Sequence, residues 1–471
     1  MYRSIAAAMA VGSCVSVAQA TTPGRQDPVA WVAMRVSHGV AASAPAMPAG
    51  QAGGATAPIG QAAPGPAAPA QVPVSGPPSS GGPLSPRTGP LPSSLTLEQA
   101  LDEALARSPA IIAAQADVEA SQARLQQAGF RFNPTLNVDV EDFVGTGIYS
   151  GVQSAQVTAT LTQQLDLFGR RSSRVNAARA GLAAQELRLG VARADLAQAV
   201  RLQFAGAVAA RDRLRLAADN LARARELARI ADELVAAGRE PPLRALRARA
   251  NAAQTEAALR AAEAADVAAR RTLSGLFGVA GEVGGVAGPL IPPNLLAIEP
   301  ASTLEVRLAD AERIQAEATL RQEQVARRLD PSVGVGVRRL EQTSDTALVA
   351  GVSVPLRLFD RNGGNVAAAQ AAIRAAEARR AAALAQATAR IGNARSNITA
   401  AQARVAALET AALPQAAEAL RLAELAYRAG RLTLLELLDA QAALAATQSD
   451  LIDARAALAE ASATLVRAAA Q

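Results

Sequence analysis

From Leu97 onward apolar side chains return every three to four positions, through Ala100, Leu101, Ala104 and Leu105, the spacing of one helical face. Thr96 stands at capping-box distance from Gln99, so the pattern predicts a helix over 97–132 that starts at Thr96. After Pro134 the period drops to two. Leu136, Val138 and Val140 alternate with Asn137, Asp139 and Glu141; beyond a Gly-rich turn, Val157, Ala159 and Leu161 alternate with Gln156, Thr158, Thr160 and Thr162. These runs predict a β-hairpin over 134–164.

From Arg170 to Ala237 there is no proline, and Leu182, Leu189 and Leu196 recur every seven residues, as do Leu214 with Leu221 and Leu227 with Leu234. The pattern predicts one helix on the order of 100 Å long. A strict period of seven also implies left-handed supercoiling against neighbours. Gly238 supplies a stop, and Pro241-Pro242 open a further helix over 242–277.

The same order then returns. A Gly/Pro connector over 278–302 leads to a helix over 303–329 and a hairpin over 331–356, with Val333, Val335 and Val337 on one face. A long helix over 361–429 follows, with a kink expected at Pro414, and then a helix over 432–468. Leu356-Arg357-Leu358-Phe359-Asp360-Arg361 answers Leu165-Asp166-Leu167-Phe168-Gly169-Arg170, and Ala429-Gly430-Arg431 answers Ala237-Gly238-Arg239. Glu418 and Arg421 repeat Glu226 and Arg229. The chain therefore reads as two copies, 94–277 and 303–471, of one helix–hairpin–helix–helix unit.

Composition narrows the chemistry. Hydrophobic residues make up 50% of the chain but aromatic ones only 2%, so any core consists of small, closely packed side chains. Every Met, the single Cys (Cys14), the single His (His38) and the single Trp (Trp31) precede residue 48. Imidazole and thiol catalysis and soft-ligand metal sites are thus excluded from the repeats, and we expect neither an enzyme nor a cofactor or metal site. The 47 basic residues are all Arg, against 41 acidic ones. Along the helices they alternate with Glu and Asp, without the aromatics a single-strand nucleic-acid binder uses for stacking, so nucleic acid is not an expected partner.

Residues 1–20, with Arg3, an apolar stretch and Val17-Ala18-Gln19-Ala20, read as a secretory signal peptide. Cys14 loosely resembles a lipidation site. Residues 21–93 hold 15 of the 26 prolines and read as a disordered extension. Four strands of about ten residues, apolar on one face, suit a tilted bilayer crossing, yet a membrane barrel closes with eight or more. If the strands are transmembrane, their open edges must pair with other copies. The alternative is a periplasmic coiled-coil structural protein with two solvated hairpins.

The opening Leu95-Thr96-Leu97-Glu98-Gln99-Ala100-Leu101 with Arg107-Ser108-Pro109, the hairpins, the paired Leu-x-Leu-Phe-x-Arg segments, and the run from Tyr427 to Gln441 occur in one order. Together they resemble the TolC-type outer membrane efflux protein family, the exit channels of tripartite efflux and type I secretion systems, over about residues 94–470. The resemblance implies a mainly α chain with a small β part. Its long antiparallel helices form an α-helical barrel across the periplasm, and four strands per chain enter a trimeric twelve-stranded barrel in outer-membrane lipid.

It also implies two partners, a periplasmic adaptor and an inner-membrane pump of the resistance-nodulation-division type. Ala237, Gly238, Arg239, Ala429, Gly430 and Arg431 align with adaptor-contact tips. Phe168, Arg170, Phe359 and Arg361 mark the barrel–tunnel junction. Tyr427, Glu436 and Asp439 match the closed aperture of the family. Leu432 and Arg244 depart from it, which suggests a latch with exchanged charges in which Arg244 or Arg247 meets Glu436 or Asp439. Val352 to Asn365 is most similar to the cobalt-zinc-cadmium resistance branch, which implies heavy-metal cation efflux, with drug or solvent efflux and type I secretion as alternatives.

Overall fold

A computed structural model describes residues 87, 89–288 and 298–470. The signal segment, Cys14, Trp31, His38, most of the 21–93 extension and residues 289–297 of the connector lie outside them.

The first expected helix is two. Helix α1 (Leu97–Arg107) opens on the Thr96–Gln99 capping box, with both reciprocal hydrogen bonds in place. It stops at Ser108, because the ring of Pro109 pushes the residue before it out of the helical region. Pro109 then occupies the first position of α2 (Pro109–Gly129), where its missing N–H costs nothing. Strands β1 (Thr135–Glu141) and β2 (Gln156–Gln164) follow.

Helix α3 (Arg170–Ala236) runs unbroken for 67 residues and packs against α1, α2, α4 (Pro242–Gly275), α5 (Leu304–Ala326) and α8 (Leu434–Ala468). Its buried positions include Ala205, Ala207, Ala209 and Ala210, small enough for neighbouring helices to come close. The largest apolar cluster gathers where α1, α3 and α4 meet. Phe204 and Phe277, both fully buried, close it together with Val200, Leu273 and Leu95. Leu95 also pairs with Val286 in a short parallel bridge that ties the chain after α4 to the start of α1.

In the second repeat the long helix is divided. Helix α6 (Gly363–Ala407) passes through a π-helical turn, Leu408–Ala412, into α7 (Leu413–Arg428). Pro414 offers no N–H to the carbonyl of Thr410, and its ring crowds that carbonyl, so the backbone widens by one residue per turn just before it. A π turn thus stands where the sequence predicts a kink.

Strands β3 (Ser332–Leu340) and β4 (Asp345–Ser353) complete one antiparallel sheet in the order β1-β2-β3-β4. The strands hold seven to nine residues, somewhat shorter than the expected ten. The two hairpins join through β2 and β3, with Leu161 opposite Val335 and Ala159 opposite Val337. That register places Leu136, Val138, Val140, Leu161, Val335, Leu348 and Val352 on one face, and all of them are exposed. The opposite face is polar: Arg338 donates to Thr158 Oγ1 at 3.0 Å and lies 3.8 Å from Glu141. Strands β1 and β4 end the sheet, and their outer edges are unpaired among the described residues.

Candidate functional site

The sequence-predicted residues fall at two places on the chain, the helix turns furthest from the sheet and the segments where strands become helices.

At the turns, both repeats end a helix in the same way. Gly238 (φ +69°) and Gly430 (φ +70°) take the left-handed conformation that an L side chain resists. In each turn the Gly N–H donates back to Val235 or Tyr427, and the following Arg N–H donates to Leu234 or Ala426, which satisfies the last carbonyls. Ala237, Gly238, Arg239, Ala429, Gly430 and Arg431 are all exposed. About two turns earlier, Arg229 grips Glu226 with two hydrogen bonds of 2.9 and 2.6 Å, and Arg421 grips Glu418 with 2.7 and 2.6 Å. The repeat therefore extends to its surface ion pairs, which solvent leaves with little net stabilising effect.

Tyr427 lies behind these turns and is 4% exposed, packed with Leu227, Ala231, Leu420, Leu434 and Leu437. Its hydroxyl is buried and has no hydrogen-bond partner among the described residues. Burial pushes its pKa up, Glu240 adds to that, and Arg244 opposes it, so both charges lie beside the ring. A pocket of about 250 Å³ opens next to it, lined in part by Ile230, Glu424, Arg428 and Gln441.

Within one chain the four charged gate candidates do not meet. Arg244, in the first turn of α4, pairs with Glu240 two residues before that helix. Glu436 closes a capping box with Thr433, accepting from its N–H at 2.8 Å. Hydrogen bonds from the Thr433 hydroxyl and backbone hold this carboxyl below its ordinary pKa. Arg247 and Asp439 are exposed and form no ion pair among the described residues. Glu240, only 13% exposed, is the carboxylate that sequence reading missed; its one signal is the four-residue spacing to Arg244.

At the strand-to-helix segments, Gly169 (φ +74°) turns the chain into α3, and Asp166 caps that helix by accepting from the N–H groups of Arg170 and Arg171 at 2.7 and 2.8 Å. Arg170 pairs with Asp330, and the Arg328 guanidinium lies 5.8 Å above the Phe168 ring. In the second repeat Asn362 (φ +55°) makes the turn, with Asp360 accepting from its N–H at 2.8 Å. Phe359 is 98% exposed, and Arg361 is exposed as well. The two junctions share a backbone plan but differ in how their arginines are held.

A family model described as Outer membrane efflux protein matches residues 100–279 and 300–471. The chain is 29% identical over 357 residues to the cobalt-zinc-cadmium resistance protein CzcC of Cupriavidus metallidurans, a match covering 74% of this chain and 84% of that one. It is 33% identical over 282 residues to the nickel and cobalt resistance protein CnrC of the same organism, covering 59% and 67%. Among solved structures, the outer membrane protein VceC of Vibrio cholerae superposes with a TM-score of 0.66 at 21% identity, over 79% of this chain and 96% of that one.

Proposed function

Because this chain belongs to the outer membrane efflux protein family, we propose that three copies share one conduit, which carries divalent heavy-metal cations from a periplasmic adaptor and an inner-membrane pump to the exterior. The channel moves its cargo and does no covalent chemistry. One observation carries the proposal of a shared conduit: a four-stranded sheet turns an apolar face outward and leaves β1 and β4 unpaired. In lipid, unpaired backbone groups are costly, and three such sheets reach a strand number that closes a barrel with a polar lumen. The cargo class is supported by the relatives named for cobalt, zinc, cadmium and nickel resistance. Choice among cations is assigned to the pump, since the duct helices have no imidazole or thiol ligand.

The turns at 237–239 and 429–431 are the docking points for the adaptor in this reading. Tyr427 and the Glu240–Arg244 pair form the inner face of the closed end. Arg244, or Arg247 on the same face, meets Glu436 or Asp439 across the closed end, and docking of the adaptor separates them. Three copies of each acid also line the opening with negative charge, which concentrates cations there. The test is a planar bilayer. Purified trimer should conduct weakly, and Arg244→Glu should raise single-channel conductance several-fold; monomeric, non-conducting protein would sink the duct, and an unchanged Arg244→Glu conductance would remove the latch alone.

A further inference from the structure

Two arginines at the strand-to-helix junction form no ion pair among the described residues. Arg174, one turn into α3, donates to the carbonyl of Phe130 at 3.3 Å and lies 4.5 Å over the Phe132 ring, but its Nε is buried without a partner. Arg357, which follows β4 in the other repeat, also has a buried, unpartnered Nε and no ion pair among the described residues. At neighbouring Arg170, burial and then the charges of Arg357 and Arg174 hold the guanidinium below its ordinary pKa, while the charges of Asp166 and Glu323 oppose the shift.

The carboxylates at this level already have hydrogen-bond partners other than Arg174 and Arg357. Asp166 caps α3, Asp330 takes Arg170, Glu323 accepts from Asn362 Nδ2 at 2.7 Å, and Asp360 accepts from the Asn362 N–H. Arg170, held by Asp330, thus stands with two further guanidiniums, Arg174 and Arg357, that form no ion pair among the described residues and keep donors to spare. A half-buried cation left in that condition is costly unless a counter-charge arrives.

We propose that the Arg170–Arg174–Arg357 cluster holds the phosphate of an anionic phospholipid at the periplasmic face of the outer membrane. A guanidinium fork matches two phosphate oxygens, and Arg keeps its charge at any physiological pH. The surroundings favour a lipid over free phosphate. Arg357 stands between Leu356 (73% exposed) and Leu358 (66%), with Phe359 (98%) next and Leu167 (62%) at the matching place in the first repeat. Apolar and aromatic side chains beside a cationic pocket, where a membrane strand ends, suit an occupant with a charged head and an apolar tail. The inference rests on the strands crossing the membrane, as the proposed duct requires.

Native mass spectrometry of the full-length trimer, reconstituted with phosphatidylglycerol or phosphatidylethanolamine, tests it. The wild type should retain phosphatidylglycerol preferentially, and Arg174→Gln/Arg357→Gln should weaken that retention roughly tenfold or more while the trimer and its conductance persist. Should the Gln variant fail to assemble, Arg174→Lys/Arg357→Lys, which keeps the charges, should assemble and keep the preference. Equal retention of both lipids, or an unaltered preference in the Gln variant, would overturn the proposal. So would displacement of the lipid by millimolar inorganic phosphate with no loss of affinity for the phosphate itself, or a neighbouring protomer's carboxylate found on Arg174 and Arg357. Loss of the trimer in every variant and in the wild type would count against the duct instead.

Discussion

At Tyr427 a buried hydroxyl with no partner sits in an apolar cluster, so the ring favours burial and the oxygen does not. Tyr427→Phe should therefore raise thermal stability, by about 1 kcal/mol, while Tyr427→Ala should cost about 3–5 kcal/mol through the cavity it leaves. A melting scan in detergent reads both, and a destabilised Phe variant would mean that the hydroxyl finds a partner across the closed end. Glu103 is the opposite case, an acid with too many suitors: it accepts from Arg87 at 3.0 Å and from Arg107, itself only 5% exposed. The Arg107 hydrogen bond, first among the causes, holds the Glu103 carboxyl below its ordinary pKa. A depressed folded pKa favours the folded state above the ordinary carboxylate value and loses that advantage as pH falls through the depressed one. Glu103→Gln should thus cost about 2 kcal/mol at neutral pH and flatten the acid limb of a stability–pH curve.

Helices and strands differ in how far their own residues announce them. The seven-residue leucine period of α3 is visible because a helix face repeats within itself. Gly238 and Gly430 are equally visible, since a left-handed cap leaves few residue choices. Replacing both by Ala should cost about 1 kcal/mol each, measurable by melting, with a larger effect on adaptor binding than on trimer yield. The break at Ser108–Pro109 was legible in principle but hidden by an apolar period that runs through it. The β2–β3 pairing was not legible: alternation says which face a strand buries, and nothing about which strand lies beside it. Of the candidate site, the turns and junctions could be placed from the repeat, and the Glu240–Arg244 pair had a local signal in its four-residue spacing, whereas the enclosure of Tyr427 depends on helices α3, α7 and α8 coming together. Pro414 foretold a disturbance, though not that one extra residue per turn would absorb it.

For the molecule as a whole, the exposed apolar face of the sheet separates a membrane channel from a solvated cap. Leu348 is 90% exposed and central on β4. In lipid, Leu348→Arg should cost about 2–4 kcal/mol and abolish trimer assembly, read as loss of the trimer from an unheated gel; on a water-facing sheet the same change would be nearly silent. The continuous α3, in contact with α1, α2, α4, α5 and α8, links the sheet to the far turns within one element, so lesions at either end are best read by conductance as well as by yield.

The unpaired edges of β1 and β4 have a genetic corollary. If each edge can be satisfied only by another copy, one faulty sheet spoils the ring it enters, and harm spreads beyond its own share of the population. In a cell making sound and defective chains equally, with random mixing, about one ring in eight would be wholly sound. An allele that disrupts β4 but still allows β1 to pair should behave as dominant, whereas one that prevents pairing altogether should be recessive.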